Sequence, residues 1–444
     1  MNNRKSHAWG LGLRSLAFGA AMLGMALTGS AENWPQWRGP FFNGTTSETN
    51  LPVQWSTTEN VALVAPLPGK SGATPVIWGD SVFVPSPDAQ NNILLFCLSR
   101  LTGEVKWQKV VGTGDIQAGK NNMASPSAVT DGKRVIVLCG LGEMKAFDFS
   151  GREVWSMNLA QRYGKFANMW LYGASPLLLR NRLYVAVLQR NPPPYTHAQD
   201  DKPDRESFLL CLDPETGREL WRHIRKTDAE GESMESYATP YPYASDRGTE
   251  IVLMGADYVT AHRPETGEEI WRCGSLNPRR QQAYRIITSP TSSPGFIYVA
   301  MPKRNPLYAI REGGKGSVHE SQIAWTMPEF APDVCTPLYY RGKLFVLDGD
   351  RQMLTCLDPK NGEKRWQGNL GVREVFSASP TGADGKIYCF SERGTAVVLA
   401  AGDEFKILST ISMGEEPSMS SIAVAQGQLF IRTAKNIYCI GKSR

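Results

Sequence analysis

Cys335-Thr336-Pro337-Leu338-Tyr339-Tyr340, Arg341-Gly342, Lys343-Leu344-Phe345-Val346-Leu347, Gly349-Asp350, Met353-Leu354-Thr355-Cys356-Leu357, Asp358-Pro359-Lys360-Asn361-Gly362, Glu363-Lys364-Arg365-Trp366-Gln367: this stretch decides the fold. It holds four short runs suited to strands, separated by residues that preset or permit turn dihedrals. Four such runs with tight turns between them predict one antiparallel four-stranded unit. A lone unit of this kind cannot bury both of its faces, so copies must stack.

Copies are present on both sides. A small residue followed by Ser or Thr, and usually by Pro, recurs at Ala73-Thr74-Pro75, Ala124-Ser125-Pro126, Ala174-Ser175-Pro176, Ala238-Thr239-Pro240, Thr288-Ser289-Pro290, Cys335-Thr336-Pro337 and Ala378-Ser379-Pro380. Ser420-Ser421-Ile422 is an eighth copy without the Pro. In phase with it, a turn Gly precedes a Trp by four positions at Gly103/Trp107, Gly151/Trp155, Gly217/Trp221, Gly267/Trp271 and Gly362/Trp366, while Trp325 holds that place without the turn. A unit repeating at this interval is a repeat architecture, and radial stacking of four-stranded units makes a propeller. Proline has no N–H for a ladder, so a Pro in the first strand fits an inner edge facing a central channel. The Trp then belongs to the outer strand, wedged between blades.

The last unit stops one strand short, at Ile437-Tyr438-Cys439-Ile440, and Asn60-Val61-Ala62-Leu63-Val64-Ala65 has no unit of its own. Closing the ring with that N-terminal strand removes the open edge. The sequence therefore predicts an all-β, eight-bladed propeller over 61–444, preceded by an N-terminal arm over 32–60 and a signal peptide over 1–31. Arg4, Lys5 and Arg14 followed by apolar Leu16 to Leu27 and the small residues Gly29-Ser30-Ala31 carry the last reading. Cleavage near Ala31 predicts a periplasmic or extracellular protein with no transmembrane span in the mature chain.

Composition agrees: 42 Gly and 29 Pro suit many short strands and turns rather than long helices. Three of the formal +5 charges lie in the leader, leaving about +2 and no basic field for nucleic acid. The eight cysteines read as buried small residues rather than disulfides. Cys97, Cys211, Cys356 and Cys439 hold one position in the third strand, where Ala146, Ala261 and Ala309 stand in other blades. Equivalent positions on different blades lie too far apart to bridge.

Leu210-Cys211-Leu212-Asp213-Pro214-Glu215-Thr216-Gly217 with Trp221, its copies at 97–107, 261–271 and 356–366, and the opening Trp34-Pro35-Gln36-Trp37-Arg38-Gly39-Pro40 resemble the bacterial PQQ-like (pyrroloquinoline quinone) β-propeller repeat family. The resemblance implies one of two functions. One branch holds quinoprotein dehydrogenases, of which the methanol-type enzymes carry a vicinal cysteine pair, a Trp beneath the quinone and carboxylate ligands for calcium. The other is the lipoprotein scaffold of outer-membrane protein assembly, which uses no cofactor. This chain has no adjacent cysteines, and no Cys follows its apolar leader to carry a lipid. Fold does not decide between the branches.

Little in the chain looks catalytic. His197, His223, His262 and His319 show no metal-ligand spacing. Gly313-Gly314-Lys315-Gly316 has a phosphate-loop composition but opens no helix and reads as a turn. The insertion from Arg190 to Ser207, between the second and third strands of blade 3, reads as a solvated loop.

The candidate site follows from geometry. Residues just ahead of each Ser/Thr-Pro must converge on one mouth of the channel. Asn122, Trp170, Tyr172, Glu235, Arg285, Asp333 and Arg373 are the candidates for ligand or partner contact, with Glu235 and Asp333 facing Arg285 and Arg373. Aromatic groups among charges of both signs suit a protein or an extended polar ligand. The leading expectation is an exported, monomeric, non-catalytic binding or assembly scaffold with no cofactor. The alternatives are a PQQ-dependent oxidoreductase using PQQ with calcium, and a polysaccharide-binding accessory protein.

Overall fold

The computed structural model describes residues 32–442 except 203, 246, 275, 304, 319 and 330. The leader reading lies outside the described residues. Eight antiparallel sheets follow one another: 76–113, 129–158, 177–224, 241–273, 291–327, 338–369, 381–412 and 423–440. Val61–Pro66 completes the eighth as its outer strand, pairing antiparallel with Asn436–Ile440 through Leu63 opposite Cys439 and Ala65 opposite Ile437. The ring is thus closed by joining the two ends of the propeller, as expected.

The repeated residues have a common physical cause. Each small third-strand residue lies across the ladder from the outer-strand Trp: Cys97 from Trp107, Ala146 from Trp155, Cys211 from Trp221, Ala261 from Trp271, Ala309 from Trp325 and Cys356 from Trp366. The Trp ring leans over the next blade's turn. Its indole N–H donates to Phe149 O from Trp107, Pro214 O from Trp155, Pro264 O from Trp221, Pro359 O from Trp325 and Gly402 O from Trp366. A Cβ at Gly151, Gly217, Gly267 or Gly362 would stand 2.5–2.8 Å from such a ring, which is why that turn position is Gly. All eight cysteines are free and buried.

Three expectations are refined. The prolines sit just ahead of the inner strands rather than within them, with Pro75 before Val76–Trp78 and Pro337 before Leu338–Tyr340. The Gly313–Gly316 segment is more than a turn, because Gly316–Val318 adds to blade 4 as a fifth strand, parallel to Glu269–Cys273. With the usual turn missing there, the Trp271 indole donates to the Glu250 carboxylate instead. The insertion at 190–207 is exposed over most of its described length, in line with a solvated loop, but it is anchored to the propeller. Its Arg205 is buried, with guanidinium bonds to Lys165 O, Ala198 O and the Asp200 carboxylate.

The arm is an integral part of the ring. Trp34 exchanges both backbone hydrogen bonds with Ile77 of blade 1, and Pro35 O accepts from Thr130 N of blade 2. Phe42 packs against blades 3 and 4. Gly44 O accepts from Gly382 N of blade 7, and the Glu48 carboxylate accepts from Gln426 N and Gly427 N of blade 8. Gly39 turns the chain at φ +74°, where a Cβ would lie 2.7 Å from the Trp34 ring, so only Gly fits. These contacts fall at the ends of inner strands. The arm therefore crosses the face opposite the mouth.

Candidate functional site

The Ser/Thr of the repeat builds the wall of the channel. Its side-chain oxygen accepts the backbone N–H of its counterpart one blade earlier, in an unbroken series: Thr74 N to Ser127, Ser127 N to Ser175, Ser175 N to Thr239, Thr239 N to Ser289, Ser289 N to Thr336, Thr336 N to Ser379 and Ser379 N to Ser421, each at 2.9–3.2 Å. Inner strands have no neighbour on the channel side, and a short hydroxyl supplies the acceptor their N–H groups lack. In blade 2 the ring member is Ser127, two places beyond the Ser125 that the sequence pattern picks. The ring has one open joint, between blades 8 and 1, where the buried Thr74 hydroxyl has no partner.

Inside this ring lies a well of about 430 Å³. Trp37 of the arm lines its base, and the mouth is framed by Gly119, Lys120, Asn121, Trp170, Tyr237, Arg285, Asp333 and Asp350. The channel expected to run through the propeller is thus a blind well.

The seven candidate residues divide. Trp170, Arg285 and Asp333 line the well. Asn122 is buried behind the wall, where its amide donates to Lys70 O and its carbonyl accepts from Ala124 N. Tyr172 is a core residue, with its hydroxyl on Ala186 O and its ring against Phe166. Glu235 is fully buried and accepts from Met169 N, Tyr237 Oη and Tyr195 Oη. Burial pushes its carboxyl above the ordinary value while those three bonds pull the other way. Arg373 is exposed and lies outside the well lining. The expected facing of acids and bases is therefore half met. Asp333 does pair with Arg285, at 3.0 Å, but Glu235 faces the two tyrosines and, at 3.9 Å, Arg190.

Around the mouth the polar groups are joined into a belt. The Trp170 ring lies over Gly119, and its indole N–H donates to Glu232 at 3.1 Å. Glu232 stands 3.5 Å from Arg285, Arg285 pairs with Asp333, and Asp333 accepts from Lys303 N. In the other direction Lys120 reaches over to Glu392 of blade 7, which also accepts from Ser377. Sequence reasoning missed Lys120 and Trp37. Lys120 sits on a small hairpin, Gln117–Ala118 with Asn121–Asn122, that no repeat predicts. Trp37 comes from the arm, outside the repeats altogether.

One set of metal-ligating groups does converge among the described residues: His223, His262 and Glu269, within 4.8 Å of one another on blades 3 and 4 and outside the well lining. Its wiring opposes a cation. Arg225 Nε donates to Thr260 Oγ1, leaving the Thr260 proton for His262 Nε2, and His262 Nδ1–H bonds Gly267 O. That uses the one imidazole lone pair. Burial and the adjacent His223 press the His262 pKa down to about 3, and Arg272 already neutralises Glu269.

The comparisons with known proteins fall in line with this architecture. A family model described as outer membrane protein assembly factor BamB matches residues 45–191, from the arm to blade 3. No curated protein sequence matches the chain. BamB from Moraxella catarrhalis superposes with a TM-score of 0.58 at 13% identity, covering 86% of this chain and 99% of that one. Quinohemoprotein alcohol dehydrogenase ADHIIG from Pseudomonas putida HK5 gives 0.63 at 12%, covering 93% and 80%. A europium-containing methanol dehydrogenase gives 0.64 at 10%, covering 91% and 90%. At these identities the likeness is one of fold. In sequence over 45–191, and in fold over the whole propeller, this chain is similar to BamB, and in fold alone it is at least as similar to the quinoprotein dehydrogenases.

Proposed function

We propose that this chain is an exported, non-catalytic binding scaffold that takes a polar ligand, or a segment of a partner protein, in the blind well on the propeller axis. The carrying observation is the well itself: a closed base, a hydroxyl-lined wall and a mouth where aromatic rings stand among charges of both signs. Such a concave site with a few convergent polar groups is the ordinary form of a ligand pocket. The match of residues 45–191 to a family described as an outer membrane protein assembly factor supports the export and the scaffold role.

A quinone with calcium fits this well poorly. No adjacent cysteines exist to cap a quinone. Among the described residues no three acidic groups converge at the well, and Asp333 is already committed to Arg285 and Lys303 N. The test is direct. Purified full-length protein is titrated with PQQ plus calcium, following quinone absorbance, and then assayed for dye-linked alcohol oxidation. No turnover is expected. Calcium- and PQQ-dependent oxidation, lost on Asp333→Ala, would overturn the scaffold reading.

A further inference from the structure

We propose that the well binds the terminal unit of a neutral saccharide; this deepens the reading of the well as a binding site and rests on it. The argument starts from hydrogen-bond accounting. A Ser or Thr hydroxyl has one proton and two lone pairs. In the ring, each oxygen spends one lone pair on the neighbouring blade's N–H. None of the protons has an acceptor among the described residues. Ser127, Ser175, Thr239, Ser379 and Ser421 line the well, and all but Thr239 are more than nine-tenths buried. The wall therefore presents a ring of O–H groups, each with a proton and a lone pair left over. Its complement is a ligand whose own oxygens both donate and accept, all the way round.

Charge narrows the class. At the mouth Arg285 pairs with Asp333 and Lys120 with Glu392, which leaves the exposed Asp350 as the one lining charge without an ion pair among the described residues, and the deep wall carries only hydroxyls, glycines and apolar groups. A charged group would have to shed its hydration at the deep wall with no counter-ion at that depth, which is costly. A neutral polyol pays no such penalty. Arg285 adds one more donor, because its buried Nη1 has no hydrogen-bond partner. The aromatic groups complete the match: Trp37 at the base and Trp170 at the mouth line the well with apolar ring surface, of the kind on which the C–H face of a sugar packs. A volume of about 430 Å³ sits at the small-ligand end of the usual range, and the closed base admits only a chain end.

The test fills the well without disturbing the ring. Gly173 and Gly72 both line it, neither has a left-handed φ, and a Cβ there meets nothing nearer than 3.7 Å and 4.0 Å. Full-length protein, Gly173→Leu, Gly72→Leu and Trp170→Ala are screened on an array of neutral mono- to tetrasaccharides. Hits are titrated calorimetrically beside glucuronate, inorganic phosphate and PQQ with calcium. The expected result is that a neutral saccharide binds the parent protein and is weakened at least about tenfold by either leucine. Trp170→Ala should weaken it severalfold, with thermal midpoints unchanged. No neutral saccharide bound, or binding indifferent to both leucines, overturns the proposal. Phosphate, glucuronate or PQQ bound and lost on filling would overturn the saccharide class while leaving the well as the binding site. If no probe of any class is lost on filling, the binding reading of the well falls too.

Discussion

At the scale of single residues, the ring hydroxyls explain why the repeat demands Ser or Thr where sequence reasoning saw only a pattern. The residue is there to accept a backbone N–H from the previous blade, so its loss leaves a buried donor unsatisfied. Ser379→Ala, which orphans Thr336 N, should cost about 1–3 kcal/mol in denaturant unfolding, and Ser379→Thr should recover most of it. Equal loss in both variants would assign the effect to packing instead. This role was not legible beforehand, because the bond joins residues some 40–65 positions apart and in blade 2 shifts from Ser125 to Ser127. The cysteines were legible, since their alternation with Ala marks a size limit opposite Trp. Burial pushes Cys97, Cys211 and Cys356 up to about 11 and Cys439 to about 12. Native protein should therefore label slowly with a thiol reagent at pH 8 and rapidly once unfolded. A thiol whose folded pKa is raised contributes stability that is complete below its unfolded value, near 8.5–9. That contribution drains away as pH climbs toward 11–12. Stability should thus fall across that alkaline window, and Cys356→Ala should flatten the fall. Rapid native labelling would contradict the buried reading.

At the scale of elements, the outer-strand Trp and the next blade's turn form the joint that repeats around the ring. Its strength depends on how far each ring is covered. Trp271 is 1% exposed and its indole is bound to Glu250, whereas Trp107 is only half-buried. Trp271→Ala should cost about 3–5 kcal/mol through the cavity it leaves, and Trp107→Ala clearly less. Thermal or denaturant midpoints of the two variants check this, and equal losses would mean that coverage does not set the cost. The periodic strands and these joints were readable because each blade repeats the same spacing. The hairpin at 117–122, the fifth strand of blade 4 and the anchoring of the 190–207 segment were not. Each is specified by one-off tertiary contacts, such as the buried Arg205 network, that leave no period in the sequence. The candidate site suffers for the same reason. Position ahead of an inner strand brings residues to the mouth, but whether a side chain turns into the well, as Arg285 does, or into the core, as Tyr172 does, is set by neighbours on other blades.

At the scale of the whole molecule, stability rests on closure, and closure is concentrated at the one joint where the hydroxyl ring is open. Blades 8 and 1 lack the Ser/Thr bond, and Thr74 Oγ1 is left unpartnered there. Other groups hold that seam. Val61–Pro66 hydrogen-bonds to blade 8 while Ala65 and Leu63 pack over Gly103 of blade 1. Arg432 of blade 8 is buried and donates to Pro85 O and Gly69 O, and the arm ties blade 8 to blade 1 across the base through Glu48 and Trp34. A closed ring of similar units behaves as a chain of nearest-neighbour couplings with no free ends. Removing the closing strand creates two ends at once, and the loss should be local before it is global. Deletion of 61–66 should therefore lower the unfolding midpoint. Native-state hydrogen exchange should then lose protection first in 423–440 and 76–113, the two blades at the seam, with blade 4 the last to respond. Uniform loss of protection around the ring would mean that the propeller unfolds as a single cooperative body. No change at all would mean that the arm, rather than the strand, closes it.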